Sequence, residues 1–479
     1  MDILGLSFDI DAAATLVRDG VPLAAAAEER FTRVKHDRDF PDQASRFCLA
    51  AGDTRIEEVD RVAMGWNPGT HLEPLLWRRS SRVRHHSEYL SAVPNLLLRQ
   101  YDPLPEALVT EQVHHFAGGG PPLRVDYVDH HLSHAAWAFV SPFERAAVLT
   151  MDGFGERTTT TLGLCEGNRL GVLARVSRPH SLGSLYAAFT QYLGFRPNCD
   201  EGIVMSLAAM AEPRFADDVR SMVRLHDDGT YEIDLSWFTY YMEATSRVGP
   251  RFVKRFGPPR QHPGPVEERH CQLAASLQVV FEETYFHLLN HLHAATGCTD
   301  LVVSGGAALN CVANGLIYER TPFRRLFIPP AAGDDGASTG AALYVHHAVA
   351  DQPRGDHEFT HAYLGPDCTA GEVDDLLDLA RRRVWRPDDV PAVAARLLAD
   401  GLVIGWYQGR AEFGPRALGN RSILADPSSA RLKDHINDSI KFRESFRPLA
   451  PAVLADRCGD LFERGEASLS VAAERRAPH

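Results

Sequence analysis

The sequence predicts a mixed α/β fold in which one arrangement of strands occurs twice. A short apolar strand followed by a tight hairpin opens the chain, and the same layout returns at residues 146–176. Long segments with apolar residues at helical spacing, such as residues 268–297, predict helices around these strands. A chain of 479 residues is long enough for two domains with cores of their own.

The two hairpins have the same order of elements. ILGLSFDI is the first strand, and AATLVR and VPLAAAA are the arms of a hairpin joined by Asp19 and Gly20. Asp-Gly favours a two-residue turn because both turn positions need positive φ angles. In the second stretch AAVLTMDG ends in an acid, and Gly167 and Asn168 join TTTTLGLCE to RLGVLARV.

This recurrence has two interpretations. Actin-like ATP-binding folds consist of two halves that each open with three antiparallel strands, with the nucleotide in the cleft between them. Two unrelated hairpins would leave the same pattern, and the hairpins alone do not decide between these alternatives.

The remaining elements follow in order. Residues 66–120, rich in Arg, His and Pro, predict a solvated helical insertion, and residues 268–297 predict a long helix that ends at a glycine. LVVSGGAALN predicts a buried strand running into paired glycines, and AAGDDGASTGAALY predicts a turn before a helix. Residues 349–358 are the best linker, so a second domain would begin near Ala362.

Composition excludes several classes of protein. The net charge of −13 argues against nucleic acid or an anionic membrane as the main partner. No apolar run reaches the roughly 20 residues of a membrane span, and the N-terminus carries acids where a secretion signal needs positive charge. The eight cysteines form no Cys-x-x-Cys pair. We therefore expect a cytoplasmic protein with reduced thiols.

Three histidines crowd the stretch VDHHLSHAAWAF. On a helix that Asp129 could cap, His130 and His134 share one face, and His131 and His134 could also share one. Two imidazoles with carboxylates from elsewhere suit Fe(II), Zn(II) or Mn(II). The alternative is a partly buried helix whose histidines bond to the backbone.

Two turns rich in glycine and aspartate are weaker signals. Gly305 and Gly306 follow an apolar strand and could let backbone N–H groups approach a phosphate. Asp334 and Asp335 precede Gly336, and could bind a metal or cap the helix that follows. Most such turns in proteins bind nothing.

Basic residues crowd the stretch from 410 to 447 of an otherwise acidic chain. They are Arg410, Arg416, Arg421, Lys441, Arg443 and Arg447. Several converging guanidinium groups would hold a small dianion such as a phosphate. A solvated basic face is the alternative, but the apolar residues between these cations make it less favoured.

With these motifs the sequence resembles the NodU/CmcH family of O-carbamoyltransferases, whose members modify antibiotics and Nod factors. The matching stretches, which span most of the chain in order, are AAAEERFTRVKHDRDFP, VDHHLSHAAWAF, MDGFGE, PHSLGSLYAAFTQYLGFRPN, VSGGAALNCVANG, GDDGASTGAAL, GWYQGRAEFGPRALGNRSILADP and IKFRESFRPLAP.

The resemblance implies a duplicated actin-like ATP-binding domain at residues 1–350, with halves of about 1–140 and 141–350. This domain is similar to the tRNA threonylcarbamoyl-transfer enzymes. A smaller YrdC-like α/β domain would follow at residues 360–479. The second domain would bind carbamoyl phosphate and release carbamate. In the first domain ATP would convert carbamate to carbamoyl-adenylate, which a hydroxyl of a small natural-product acceptor attacks.

The family's site residues map onto positions of this chain. The resemblance implies His130, His134, Asp152 and Asp334 as ligands of a metal, with Fe²⁺ expected and Mg²⁺ also considered. It excludes His131, because the family's pair has the four-residue spacing. It implies Gly305, Gly306, Asn310 and Asp335 at the nucleotide, Lys35 and Asp11 at the transfer site, and Arg416, Lys441 and Arg447 at carbamoyl phosphate.

The sequence departs from the family at three places. Ile10 stands where members usually carry histidine, and Ile203 stands for a lysine. The Thr-His-x-Asp-Gly-Thr and Thr-Ser-Phe-Asn segments of the second domain are not found, so that domain is expected to be C-terminally short. Two rival functions follow from these departures, namely an amide synthetase that adenylates another carboxylate and a degenerate, non-catalytic partner of an active enzyme. No nucleic-acid or membrane partner is expected, and a homodimer is left open.

Overall fold

The structure, a computed structural model, describes residues 1–8, 10–67, 109–114, 122–242, 245–355, 357–380 and 384–460, with three two-residue strands beyond them. Most of the predicted helical insertion at 66–120 lies outside the described residues. The prediction is wrong for residues 109–114, which form a strand at the edge of the first sheet. In the part of the chain that the structure describes, no helix is long and apolar enough to cross a membrane.

The N-terminal half forms a six-stranded sheet in the order β3-β2-β1-β4-β6-β5. Its strands are β1 Asp2–Ser7, β2 Ala13–Arg18, β3 Val21–Ala27, β4 Arg61–Met64, β5 Val109–His114 and β6 Leu123–Val128. The first three strands are antiparallel neighbours, whereas β4 lies parallel to β1 and β6 lies parallel to β4.

A second six-stranded sheet follows, in the order β17-β13-β12-β7-β8-β9. Its strands are β7 Arg145–Met151, β8 Thr158–Glu166, β9 Arg169–Ser177, β12 Asp300–Ser304, β13 Arg325–Phe327 and β17 Glu466–Ala467. Again three antiparallel strands come first, and β12 and then β13 are added in parallel. The shared order confirms the predicted duplication and the actin-like fold.

The turns of the two hairpins show why their residues were informative. Asp19 and Gly20 have φ angles of 50° and 81°, as a two-residue turn of the favoured kind requires. Gly167 has a φ of 56°. Because the turn fixes the strand register, each hairpin places one set of side chains in the core.

Helices cover both sheets. In chain order they are α1 Glu29–Thr32, α2 Asp42–Ala51, α3 His130–Ala135, α4 Leu182–Tyr192, α5 Glu201–Ala208, α6 Ala216–Arg220, α7 Pro250–Phe256, α8 Glu268–Thr296, α9 Cys311–Asn314, α10 Ile317–Arg320, α11 Ala337–Tyr344, α12 Ala370–Ala380, α13 Val390–Ala399 and α14 Ala430–His435. The predicted long helix is α8, and it ends at Gly297 in the left-handed conformation. Two further short strands, β10 Val223–Leu225 and β11 Tyr231–Ile233, pair with each other.

Helix α11 packs between the first sheet and α3. Glycines at both contacts allow the backbone of α11 to lie close to β1 and to α3. A Cβ on Gly5 of β1 would lie 1.9 Å from the carbonyl oxygen of Ser338, and one on Gly340 would lie 1.7 Å from that of Ser133. No side chain fits at either position. The glycines therefore fix the position of α3 relative to the sheet.

The C-terminal part is smaller and is also α/β. It holds α12 to α14 and a two-stranded sheet of β14 Ile404–Tyr407 and β15 Arg421–Leu424. Neither α12 nor α13 has a buried residue, and Leu379 and Trp385 are 82 % and 71 % exposed. The predicted domain boundary near Ala362 and the likeness to YrdC stay predictions.

Candidate active site

The helix that carries the histidines begins directly after β6. The carboxylate of Asp129 caps it by accepting a hydrogen bond from the backbone N–H of Leu132 at 3.1 Å. His130 and His134 are one turn apart, and only 2 % and 0 % of their surfaces are exposed. The predicted cap and the shared helix face are both present.

Two aspartates from distant segments meet these rings. Asp152 lies just after β7, and Asp334 lies in the turn before α11. Nε2 of His134 is 3.0 Å from Oδ2 of Asp152 and 3.6 Å from Oδ1 of Asp334. Nε2 of His130 is 3.5 Å from each of these oxygens. All four donor atoms lie within 4.8 Å of one another.

Opposite charges dominate the electrostatics of this cluster. Burial lowers the pKa of His130, but hydrogen bonds and ion pairs with Asp152 and Asp334 outweigh burial and raise the pKa well above its ordinary value. Burial raises the pKa of Asp152, but its hydrogen bonds with the two histidines hold that pKa well below the ordinary value. The negative charge of the two carboxylates therefore favours a cation at this buried cluster.

The donor set suits a divalent transition metal. Nδ1 of His130 lies 3.2 Å from the carbonyl oxygen of Gly65, to which it can donate, and this leaves Nε2 free to bind a metal. The Nε2 atoms of His130 and His134 are 3.0 Å apart. Metal–nitrogen bonds of about 2.0–2.1 Å would place two adjacent ligands about 3 Å apart. A bound cation would replace the protons that these histidines otherwise carry.

His131 belongs to a different environment. Its Nδ1 lies 2.7 Å from the hydroxyl of Thr150, and it is not a member of the donor cluster. Burial and the neighbouring His130 and His134 lower the pKa of His131 well below its ordinary value. That only the pair with four-residue spacing binds a metal stays a prediction.

A further carboxylate, Glu156, lies against the start of α3. It accepts hydrogen bonds from the backbone N–H groups of His130 at 3.1 Å and Asn67 at 2.5 Å. Burial, aided by the charge of Asp129, raises the pKa of Glu156 to about 8. Burial therefore favours the neutral form of Glu156 more than that of an exposed glutamate. Sequence reasoning did not single it out, although it ends the MDGFGE motif.

The paired glycines lie against the same cluster. Gly305 has a φ of +94°, and a Cβ there would lie 2.4 Å from the carbonyl oxygen of Met151, so that only glycine fits. The N–H of Gly306 donates to Oδ2 of Asp152 at 3.2 Å. Asn310 caps α9 and exchanges hydrogen bonds with Gln278.

A cavity of about 330 Å³ joins these elements. Asp152, Asp334 and Asp335 line one part of it, with Gly306 and Asn310 beside them. Burial, with the nearby charge of Asp11, raises the pKa of Asp335 to about 7. Gly305 is packed on Met151 and is not part of the lining.

The predicted transfer-site residues belong to the lining of the same cavity. Lys35 and Asp11 both line the cavity. Oδ1 of Asp11 is 2.7 Å from Nδ1 of His36, which lines the cavity as well. The hydrogen bond with Asp11, together with Cys199, raises the pKa of His36 to about 10. Sequence reasoning missed His36, although it adjoins Lys35 in the quoted motif, and missed Cys199, which no local pattern connects to it.

The basic residues of 410–447 divide into two groups. Arg410, Arg421 and Arg443 support loops: Arg410 donates to the carbonyl oxygens of Leu23, Leu364 and Gly365, Arg421 pairs with buried Glu412, and Arg443 donates to Asn437 and Pro448.

The second group faces the cavity in part. Arg416 and Arg447 line it, and Arg447 also pairs with Glu444 at 3.7 Å. Lys441 is exposed and lies outside the described lining. Two of the three predicted phosphate-binding cations thus line the cavity that Asp152 and Asp334 also line.

Comparison with known proteins places the chain in a family. The family described as Carbamoyltransferase N-terminus matches residues 2–343, and Carbamoyltransferase C-terminus matches residues 395–476. The uncharacterized protein sll1178 of Synechocystis is 40 % identical over 97 % of this chain and 78 % of its own length. The nodulation protein NolNO of Sinorhizobium fredii is 37 % identical over 95 % of this chain, which spans 64 % of NolNO.

Among solved structures, T. kodakarensis HypF is similar at 10 % identity with a TM-score of 0.34, over 73 % of this chain and 48 % of that one. That likeness is too low to carry an argument. The match of the family pattern over most of the chain, with relatives near 40 % identity, is sufficient by itself. The chain belongs to the carbamoyltransferase family.

Proposed function

We propose that this carbamoyltransferase takes its carbamoyl group from carbamoyl phosphate, activates it with ATP as carbamoyl-adenylate, and passes it to a hydroxyl of a small natural-product acceptor. The observation that carries the proposal is the single cavity that Asp152 and Asp334 share with Gly306, Lys35 and Arg447. Acids that could hold a metal, a glycine turn and a cation for an anionic substrate are all within reach of one bound molecule.

The metal-type cluster would sit at the ATP phosphates. His130, His134, Asp152 and Asp334 would hold the cation, and Fe²⁺ fits this mixture of nitrogen and oxygen donors. A divalent ion there would neutralise charge on the phosphate oxygens of ATP. Gly306, Asn310 and Asp335 would contact the nucleotide, with the backbone of the glycine turn allowing close approach.

The cations would orient the carbamoyl donor. Arg416 and Arg447 would bind the phosphate of carbamoyl phosphate through charge-assisted hydrogen bonds, and Lys441 would join them only if its loop turns inward. Carbamate freed from this donor attacks the α-phosphorus of ATP and pyrophosphate leaves. Lys35 would hold the carbamoyl oxygen, and Asp11 would act through its hydrogen bond with His36.

One experiment tests the activation step without knowledge of the acceptor. Hydroxylamine attacks carbamoyl-adenylate and gives hydroxyurea, so the metal-loaded chain with ATP and carbamoyl phosphate should form hydroxyurea, AMP and pyrophosphate. Omission of ATP is the control for direct reaction of carbamoyl phosphate. ATP turnover with no hydroxyurea would count against the proposal.

A second candidate function is favoured by one observation. Ile10 and Ile203, which stand for polar residues of the family, both line the cavity. An ATP-dependent amide synthetase that adenylates another carboxylate would need no carbamoyl phosphate. Pyrophosphate release driven by a panel of carboxylates, and absent with carbamoyl phosphate, would favour this function.

A further inference from the structure

Arg416, one of the cations that line the cavity, lies at the tip of the loop that joins β14 to β15. Residues 415–419 form this tip and are exposed, whereas Gly414 and Asn420 on either side of it are buried. A long cation on an exposed loop reaches a defined position only if other groups fix the backbone beneath it.

Glu412 is a side chain that fixes this backbone. It is 3 % exposed, and its Oε1 accepts hydrogen bonds from the backbone N–H groups of Leu418 at 2.8 Å, Asn420 at 2.8 Å and Arg421 at 3.1 Å. Burial raises the pKa of Glu412, but the hydrogen bonds from the backbone outweigh burial and hold that pKa below its ordinary value. The carboxylate therefore ties the far end of the tip to the residues that precede it.

The near end of the tip packs on the segment that leads to Asp334. Gly414 has a φ of +118°, and a Cβ there would lie 2.4 Å from the carbonyl oxygen of Pro330. The guanidinium group of Arg30, which also lines the cavity, donates a hydrogen bond to the carbonyl oxygen of Gly414 at 3.2 Å. The tip is thus held at its near end by these contacts and at its far end by Glu412.

We propose that Glu412 is a positioning residue of the carbamoyl phosphate site, which holds the guanidinium group of Arg416 in the cavity through the backbone of the loop. Glu412 is not among the described residues that line the cavity, so its effect on the ligand passes through the loop. This inference rests on the proposed function, because it requires that Arg416 binds the phosphate of carbamoyl phosphate.

Two conservative variants separate the position of the carboxylate from its charge. Glu412→Asp keeps the charge but is one methylene shorter, so that its oxygens no longer reach all three N–H groups. Glu412→Gln keeps the length and a carbonyl oxygen that accepts from these groups, but it removes the charge. Calorimetric titration with carbamoyl phosphate should show affinity about 10- to 150-fold weaker in Glu412→Asp, the effect of losing the contact made by Arg416. Glu412→Gln should retain affinity close to that of the native chain.

Controls show whether the effect is confined to this loop. Asp426→Asn removes the same charge from the same part of the chain, but Asp426 accepts hydrogen bonds only within its own turn, from Ser428, and this variant should bind carbamoyl phosphate normally. The affinity for ATP and the metal content should stay constant in Glu412→Asp. Equal losses of all three ligands would show a general structural role and contradict the proposal.

A double-mutant cycle tests whether Glu412 acts through Arg416. In the Arg416→Ala background, Glu412→Asp should cause no further loss of affinity for carbamoyl phosphate, since the side chain that it positions is already gone. Losses that multiply in the double variant would overturn the proposal. If Glu412→Asp does not fold, Glu412→Gln keeps the test decisive, because a large loss of affinity in that variant contradicts the proposal by itself.

Failure of this inference and failure of the proposed function give different results. If Arg416→Ala weakens binding of carbamoyl phosphate but Glu412→Asp does not, the role of Glu412 is overturned and the proposed function stands. If the native chain does not bind carbamoyl phosphate, or if Arg416→Ala binds it as tightly as the native chain, the proposed donor site is overturned, and this inference with it.

Discussion

The metal-type cluster and the basic segment at residues 410–447 differ in how the fold supports them. The cluster's donors project from a helix and from turns that directly follow or precede regular elements, and all four residues are buried or nearly so. The cations at 416, 441 and 447 lie on loops of the C-terminal part, in which α12 and α13 bury no residue. Regular elements packed on a sheet fix side chains to fractions of an ångström, whereas loops let like charges separate.

The largest expected effect is on the metal. His134→Ala removes one of four donors, so the content of bound divalent ion should fall from about one per chain to near zero, as measured by elemental analysis. His131→Ala is the matched control, because His131 faces Thr150 and should leave the metal bound. Full occupancy in His134→Ala would show that the metal does not depend on His134 and would contradict the proposed ligand set.

The packing that positions α3 can be disrupted without replacing any of the proposed metal ligands. In Gly340→Ala the new Cβ would lie 1.7 Å from the backbone oxygen of Ser133, so α3 must shift. Such overpacking costs about 1–3 kcal/mol, or more when backbone must move, and should weaken metal binding as well. Gly171→Ala, whose nearest atom would be 3.9 Å away, is the control. Denaturant unfolding and metal titration of both variants measure the difference.

The basic segment should respond unevenly to substitution. Arg447→Ala should weaken binding of carbamoyl phosphate about 10- to 150-fold, the effect of losing a charge-assisted partner of roughly 1.5–3 kcal/mol. Lys441→Ala should cost about 1 kcal/mol or less, as for an exposed charge, and Lys254→Ala on α7 should have no effect. Calorimetric titration of each variant with carbamoyl phosphate measures these affinities. Equal losses of affinity in Arg447→Ala and Lys441→Ala would mean that both cations contact the bound phosphate.

The smallest expected effect concerns His36 and pH. Its pKa in the folded chain, about 10, lies above the ordinary 6.5 because of Asp11 and Cys199. The resulting stability is therefore fully present below pH 6.5 and lost as the pH rises through about 10. Below pH 6.5, the His36→Gln variant should be about 1–2 kcal/mol less stable to unfolding than the native chain. Above a pH of about 10, the two proteins should have similar stability. A difference in unfolding free energy that does not change with pH would contradict this.

These regions also mark the limit of what the sequence could predict. The two hairpins were predictable from turn residues and apolar strands, which are local signals, but they left the duplication of the sheets open until the resemblance to a family was added. The shared face of His130 and His134 followed from helical spacing. Arg410 donates hydrogen bonds to backbone carbonyls, whereas Arg416 lines the cavity. Sequence spacing could not distinguish these two roles, because both arginines lie in the same run of glycines and apolar residues. The placement of Cys199 and His36 in the lining of one cavity depends on how the two halves of the fold meet, which no local pattern encodes.

Carbamoyl-phosphate-dependent exchange of labelled pyrophosphate into ATP tests the central claim most directly, because it requires metal, nucleotide and carbamoyl donor to act in one cavity. We predict exchange in the metal-loaded chain that disappears with a chelator and falls in Arg447→Ala but not in Lys254→Ala. Exchange that needs neither metal nor carbamoyl phosphate, or that another carboxylate alone supports, would contradict it.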